Sequence, residues 1–158
     1  MTTTIRPCLW FDNNFEEAVE FYTSVFPNSS VGELARYTEA GPGKPGDVAY
    51  GTFVLDGQEF LGMNGGPLFK FNEAVSFEVR CADQAEVDHY WSKLGDGGEE
   101  MQCGWLKDRY GLCWQIEPER LYELLNDPDP ARAGAATAAM MEMHKIVIAD
   151  LEAAVAAL

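Results

Sequence analysis

Histidine, cysteine and cationic residues are scarce in this 158-residue chain. It holds two His, four Cys and 11 Lys plus Arg against 26 Asp plus Glu, a net charge of −15. So acidic a surface repels a phosphate backbone and an anionic bilayer, which argues against nucleic-acid and membrane partners. It favours solubility and tolerates a cationic small molecule. No run of about 18 apolar residues occurs, so no segment is expected to span a membrane. The stretch Met1-Thr2-Thr3-Thr4-Ile5-Arg6-Pro7 lacks a basic region followed by an apolar one; with no signal peptide read there, the expected location is the cytoplasm. The cysteines, at 8, 81, 103 and 113, form no Cys-x-x-Cys pair. Reduced, mostly buried thiols are expected rather than disulfides or a zinc site. What is present suffices for a core: 47% of residues are hydrophobic and 12% aromatic, which excludes a disordered chain.

Two segments read as copies of one unit. Leu9-Trp10-Phe11 is a short apolar run; Asn14 then precedes Phe15, with Glu17 three residues on, the pattern of a capping box. Apolar residues at 15, 18, 19, 22 and 26 predict an amphipathic helix. Sixty-nine residues later, Val75-Ser76-Phe77-Glu78-Val79 alternates like a strand, Asp83 and Glu86 replace Asn14 and Glu17, and Val87, Tyr90, Trp91 and Leu94 repeat the stripe. One constant offset points to duplication. Strands are expected at Val31–Tyr37, Val48–Leu55 and Gln58–Asn64, then at Glu99–Lys107 and Leu112–Glu117. The loop Glu39–Asp47 is too rich in Gly and Pro for regular structure. Each unit is therefore close to β-α-β-β-β, the second shorter by one strand. The modules span 5–67 and 72–117, and 118–158 forms C-terminal helices. There Asp127-Pro128-Asp129-Pro130 gives two successive N-cap-plus-Pro signals, and Met140, Met141 and Met143 suit packing.

This α+β chain resembles the vicinal oxygen chelate superfamily, which includes glyoxalase I, bleomycin-resistance proteins and extradiol dioxygenases, and within it the PhnB-like branch. The resemblance is carried by Leu9-Trp10-Phe11-Asp12, Glu17-Ala18, Phe21-Tyr22, Phe26-Pro27, Asn64-Gly65-Gly66-Pro67, the run Cys103 to Gly111, Trp114-Gln115-Ile116, and the tail from Met140. Members of this branch are often labelled 3-demethylubiquinone-9 3-methyltransferase. The chain has no Gly-rich loop after the first strand of an alternating β/α run, the arrangement that a nucleotide-type cofactor usually needs; no cofactor is expected.

The resemblance implies a homodimer of curved sheets, each module enclosing part of a cavity, with its helix on the convex face. By strand alternation, Phe77 and Val79 should lie under the second helix, with Ser76, Glu78 and Arg80 on the concave side. Trp114 and Ile116 should be buried, leaving Cys113, Gln115 and Glu117 concave. The 69-residue offset then puts Cys8 and Trp10 under the first helix and turns Pro7, Leu9 and Phe11 inward. Metal-dependent members hold a divalent ion by His and Glu on four concave strands. Carried over, those positions fall on Pro7, Ser76, Gln115 and near Gly62 or Asn64. None is a strong ligand, so no metal is expected. His89 falls on the outer helix face and His144 in the tail.

Ligand-binding candidates are therefore Leu9, Phe11, Asn64, Ser76, Glu78, Trp105, Cys113 and Gln115. An aromatic wall with amides suits a flat or polar organic ligand. Glu78, if buried, is a candidate general base, against the plainer reading of an ion pair with Arg80. Cys103 and Cys113 become nucleophiles only if Lys107 or Arg109 makes them thiolates; as small buried hydrophobes they need no such role. Lys107-Asp108-Arg109 reads most simply as a charged loop. Two functions remain open: a metal-free small-molecule binder, or an enzyme, either an isomerase or lyase using Glu78 or the methyltransferase of the label. The fold alone does not choose between them.

Overall fold

The computed structural model describes residues 5–158; Met1–Thr4, part of the stretch read for a targeting signal, lie outside the described residues. The chain divides into two compact units, Met1–Phe71 and Asn72–Leu158. Among the described residues, no helix is long and apolar enough to cross a membrane.

The first unit runs β1 (Cys8–Phe11), α1 (Phe15–Val25), β2 (Ser30–Arg36), β3 (Val48–Leu55) and β4 (Gln58–Asn64). Its sheet has the order β1-β4-β3-β2, with β1 parallel to β4 and the other pairs antiparallel. Asp56-Gly57 makes the β3–β4 turn, both residues in the left-handed region. Helix α1 buries Phe15, Ala18, Val19, Tyr22 and Val25 against β3 and β4; the first four belong to the predicted stripe, and its last member, Phe26, is the buried C-cap residue. Close approach there needs glycine on the sheet. A β-carbon built on Gly62 would stand 2.1 Å from the Phe15 ring, and one on Gly51 3.1 Å.

The second unit repeats the order in full: β5 (Ser76–Cys81), α2 (Gln84–Leu94), β6 (Glu99–Glu100), β7 (Trp105–Lys107) and β8 (Cys113–Pro118). The sheet order is β5-β8-β7-β6, with β5 parallel to β8. The expected shortening by one strand does not occur. The stretch Glu99–Lys107 is two strands, because Cys103 and Gly104 turn back in the left-handed region at φ 61° and 82°. Capping works as expected in α2, where Asp83 accepts from Glu86 N at 3.0 Å and Glu86 accepts from Ala82 N at 2.8 Å. In α1 it does not, since Asn14 makes no side-chain cap bond.

Helices α3 (Glu119–Leu125), α4 (Pro130–Met141) and α5 (Ile148–Ala156) follow. Of the two expected caps, only Asp129 starts a helix, accepting from Ala131 N at 2.9 Å; Asp127 accepts from Asp129 N and pairs with Arg132. Leu121, Leu124, Ala136, Ile146, Leu151 and Val155 form the extension's own core, with Met140 and Met143 packed against it. The extension is tied to the rest of its unit through backbone. Cys103 N donates to Met143 O and Gly104 N to His144 O, both at 2.7 Å. Gln84 donates to Ile146 O at 3.1 Å and accepts from Ile148 N at 2.8 Å.

Candidate functional site

Paired residues on neighbouring strands point to the same side of a sheet, so the registers assign faces. In the second unit Phe77 pairs with Trp114, Val79 with Ile116, and Leu106 with Trp114. These apolar side chains lie toward α2, and the Phe77 and Trp114 rings stand 5.7 Å apart. The opposite, open face carries Ser76 beside Cys113 and Lys107, then Glu78 beside Gln115 and Trp105, then Arg80 beside Glu117. The expected placement of Ser76, Glu78, Arg80, Cys113 and Gln115 thus matches these registers, and Trp105 joins them.

In the first unit the assignment reverses. Leu9 pairs with Gly62 and Phe11 with Asn64, and both apolar residues are buried. The Phe11 ring stands 5.7 Å from that of Phe15, so it lies on the α1 side. Cys8 and Trp10, expected under α1, lie on the open face, opposite Leu61 and Met63. The cause is one residue. Three residues separate β1 from α1, but two separate β5 from α2. The helices keep the 69-residue offset while the strands slip to 70, Leu9 matching Val79. A one-residue slip exchanges the two faces of a strand. Asn13, at φ 61°, sits in the longer connection.

Leu9 and Phe11 therefore belong to the first unit's core. Asn64 is buried too. Its Oδ1 accepts from Phe15 N at 3.0 Å and its Nδ2 donates to Val48 O at 2.9 Å, doing for α1 what Asn14 does not. Asn64→Ala is expected to cost about 1–2 kcal/mol in urea denaturation. Asn64 and Val48 also border a polar cavity of about 290 Å³ that Arg36, Tyr37, Lys44 and Asp47 help to line. Its charges have both signs, and Arg36 lies 3.6 Å from Glu16.

At the four positions that the resemblance assigns to metal ligands, the chain offers little. Gln115 Nε2 donates to Ser76 Oγ at 2.7 Å, so an amide and a hydroxyl satisfy each other. Pro7, Gly62 and Asn64 share the α1-side parity. The open side nearby carries the Arg6–Glu59 ion pair, Cys8 and Leu61. Among the described residues no three His, Cys, Asp or Glu side chains converge as a metal site requires. His89 and His144 are exposed.

The charged groups of the second face are tied to one another. Arg80 Nε donates to Glu78 Oε1 at 2.9 Å, and this bond holds the Glu78 carboxyl below the usual range despite some desolvation. Glu78 is exposed rather than buried, so the ion-pair reading prevails. Lys107 donates to Glu73 at 2.6 Å, which pushes the ammonium up and the carboxyl down. Burial pushes the Cys113 thiol up, outweighing Lys107. It also pushes Cys81, on the α2 side, up to about 12. Neither thiol is primed as a nucleophile. Cys103 lies 3.7 Å from Met141 Sδ, and Arg109 is engaged by Asp96. All four cysteines are free, with Cys81 and Cys113 buried, Cys103 half-buried and Cys8 exposed.

Two features escaped the sequence reading. Asp108 is buried, not part of a solvated loop. It accepts from Tyr110 N at 2.8 Å, Leu112 N at 3.0 Å and Trp114 Nε1 at 2.8 Å. The Asp-x-x-Gly spacing before Gly111 signals such an Asx turn. Glu117, also buried, accepts from the Tyr122 hydroxyl of α3; no local pattern joins a strand end to a helix of the extension.

A family model described as 3-demethylubiquinone-9 3-methyltransferase matches residues 3–117. A Bacillus cereus structure named as a PhnB protein and 3-demethylubiquinone-9 3-methyltransferase is 37% identical, with a TM-score of 0.68 over 73% of this chain and 99% of that one. Protein PA1353 from Pseudomonas aeruginosa is 19% identical, with a TM-score of 0.55 over 75% of this chain and all of that one. The fosfomycin resistance protein FosX from Listeria monocytogenes is 14% identical, with a TM-score of 0.53 over 72% and 88%. These last two share the fold alone. No curated protein matches the sequence.

Proposed function

The chain belongs to the 3-demethylubiquinone-9 3-methyltransferase family, the PhnB-like branch of the glyoxalase-fold proteins, and from that premise we propose that it is a metal-free small-molecule-binding protein. The ligand lies on the open face of the second sheet, against Trp105, Ser76, Glu78 and Gln115, with Cys113 as a small buried wall. One observation carries the reading. The Gln115 amide and the Ser76 hydroxyl hydrogen-bond each other at 2.7 Å, where metal-dependent relatives would need a carboxylate and an imidazole. A neutral amide and a hydroxyl are weak ligands for a divalent ion, but they are good partners for a polar organic molecule stacked on an indole. The negative charge of the chain favours a neutral or cationic ligand. Leu9 and Phe11 support the first unit from within and do not enter the binding surface.

The enzymatic alternative with Glu78 as base has less support. An exposed carboxylate stabilised as the anion by Arg80 is a weak base. The protein works as a homodimer in this proposal, as the family resemblance implies.

Metal analysis and a thermal-shift screen test the proposal together. Protein purified without chelator is expected to carry well under one transition metal per chain, with EDTA leaving the melting temperature unchanged. S-adenosylmethionine, glyoxalase-type thiol adducts and cationic glycopeptides are the first compounds to screen. A binder raises the melting temperature by mass action, and Trp105→Ala is expected to abolish that rise. A stoichiometric metal overturns the metal-free reading. Turnover of a stabilising compound that disappears in Glu78→Gln overturns the binder in favour of the enzyme.

A further inference from the structure

Three polar side chains are buried among the described residues: Asn64, Asp108 and Glu117. The first two are locked by several partners, two for Asn64 and three donors for Asp108. Glu117 is different. Its hydrogen bond comes from one neutral group, the Tyr122 hydroxyl.

We propose that Glu117 is the proton-exchanging group of the second unit's open face, and that Tyr122, brought in by the C-terminal extension, holds it in that role. Glu117 pairs in register with Arg80, on the same face as Gln115 and two residues beyond it. The ionisable groups facing it are Arg80 and Glu78 from β5 and Tyr122 from α3. From the turn before β7, Gly104 approaches it: a β-carbon built there would stand 3.6 Å from Glu117 Cγ. Arg80 bonds Glu78 and lies 4.4 Å from the centre of the Tyr122 ring. Its ion pair is thus with Glu78, and it acts on Glu117 only through its charge.

These surroundings separate the two carboxyl groups. Arg80 keeps Glu78 low. Burial raises Glu117, and the Glu78 charge adds to the rise, while the Tyr122 hydroxyl and Arg80 pull it down. Burial also raises the Tyr122 hydroxyl, which therefore stays protonated and acts as a donor. Two carboxylates pushed apart by their environments take different acid–base roles: Glu78 remains an anion, and Glu117 gains and loses a proton. As a carboxylate, Glu117 accepts a proton from an ammonium or another proton-bearing group of the ligand and becomes the neutral acid. The ligand keeps the electron pair, and Tyr122 keeps its own proton. Tyr122 lies past residue 117, where the family match ends, so the donor that tunes this carboxyl comes from outside the matched span.

The use of the proton rests on the reading of this face as a ligand site; the titration itself needs no ligand, so a failed ligand screen leaves this test standing. Carbon-detected NMR of the glutamate carboxyl groups in the full chain follows each midpoint, with Glu117→Gln and Glu78→Gln assigning the signals. Glu117 is expected to titrate above Glu78. In Tyr122→Phe, which keeps the ring under Arg80, the Glu117 midpoint rises further and that of Glu78 moves less. In Glu78→Gln, the Glu117 midpoint falls. A Glu117 midpoint at or below that of Glu78 overturns the proposal, as does a Glu117 signal indifferent to loss of the Tyr122 hydroxyl. If Tyr122→Phe disturbs the fold, the Glu78→Gln result decides alone: no fall there is equally fatal.

Discussion

Asp108→Ala is expected to melt about 10 °C below the parent protein. The side chain is buried, and its two oxygens accept from two backbone N–H groups and the Trp114 indole. Truncation leaves those donors without their acceptor in a site closed to water. Each costs roughly 1–3 kcal/mol when buried and unpaired. Partial relaxation brings the sum to about 4 kcal/mol, and a chain of this length loses about 2–4 °C per kcal/mol. The loss is also directional. Asp108 closes the turn between β7 and β8, the strands that carry Trp105 and Gln115. Ligand stabilisation in the thermal-shift screen should therefore weaken in Asp108→Ala even at temperatures where the protein is folded. Asp108→Asn keeps one acceptor oxygen and should retain part of the stability. If the alanine variant melts within about 2 °C of the parent, the turn is not anchored as described.

Phe15→Ala is expected to cost about 4–5 kcal/mol in urea denaturation, the upper part of the range for a buried aromatic. Phe15 is fully buried, with the Phe11 and Phe53 rings 5.7 and 6.0 Å away. The size of the effect follows from the glycines. Gly51 and Gly62 face the ring with no side chain, so neither of these positions can swing a group in to fill the cavity. Residual cavity volume, not the lost transfer term alone, sets the cost. Phe15→Leu, which keeps most of the volume, should lose less than half as much. A comparable loss in both variants would point to the ring contacts rather than the cavity.

Neither Asp108 nor Phe15 stands out by residue type, and their weight shows how far a sequence can be read. The helix stripes, the duplicated unit and the strands Val48–Leu55 and Gln58–Asn64 are legible because burying one face imposes a period of 3.6 or 2 on neighbouring residues. The same alternation places Ser76, Glu78, Cys113 and Gln115 on one face, since β5 and β8 lie directly beside each other in register. Leu9 and Phe11 lie beyond what periodicity determines. Periodicity says that they share a face, but not which one. That depends on the length of one connection, where a single additional residue reverses the strand.

The remaining differences arise from contacts distant in sequence. Cys103 and Gly104 break a predicted strand into two and expose their N–H groups to Met143 and His144, some forty residues on. The cap of α1 comes from Asn64 rather than from Asn14. Glu117 and Tyr122 meet because α3 folds back beside the end of β8. Local periodicity, set by burial along each element, was enough to define two modules, their helices and most of their strands. Which side chains share the second unit's polar cluster, and which carboxyl there is buried, was decided only when separate elements packed together. Hydrogen bonding and desolvation depend on neighbours in space, and those neighbours are brought close by the fold.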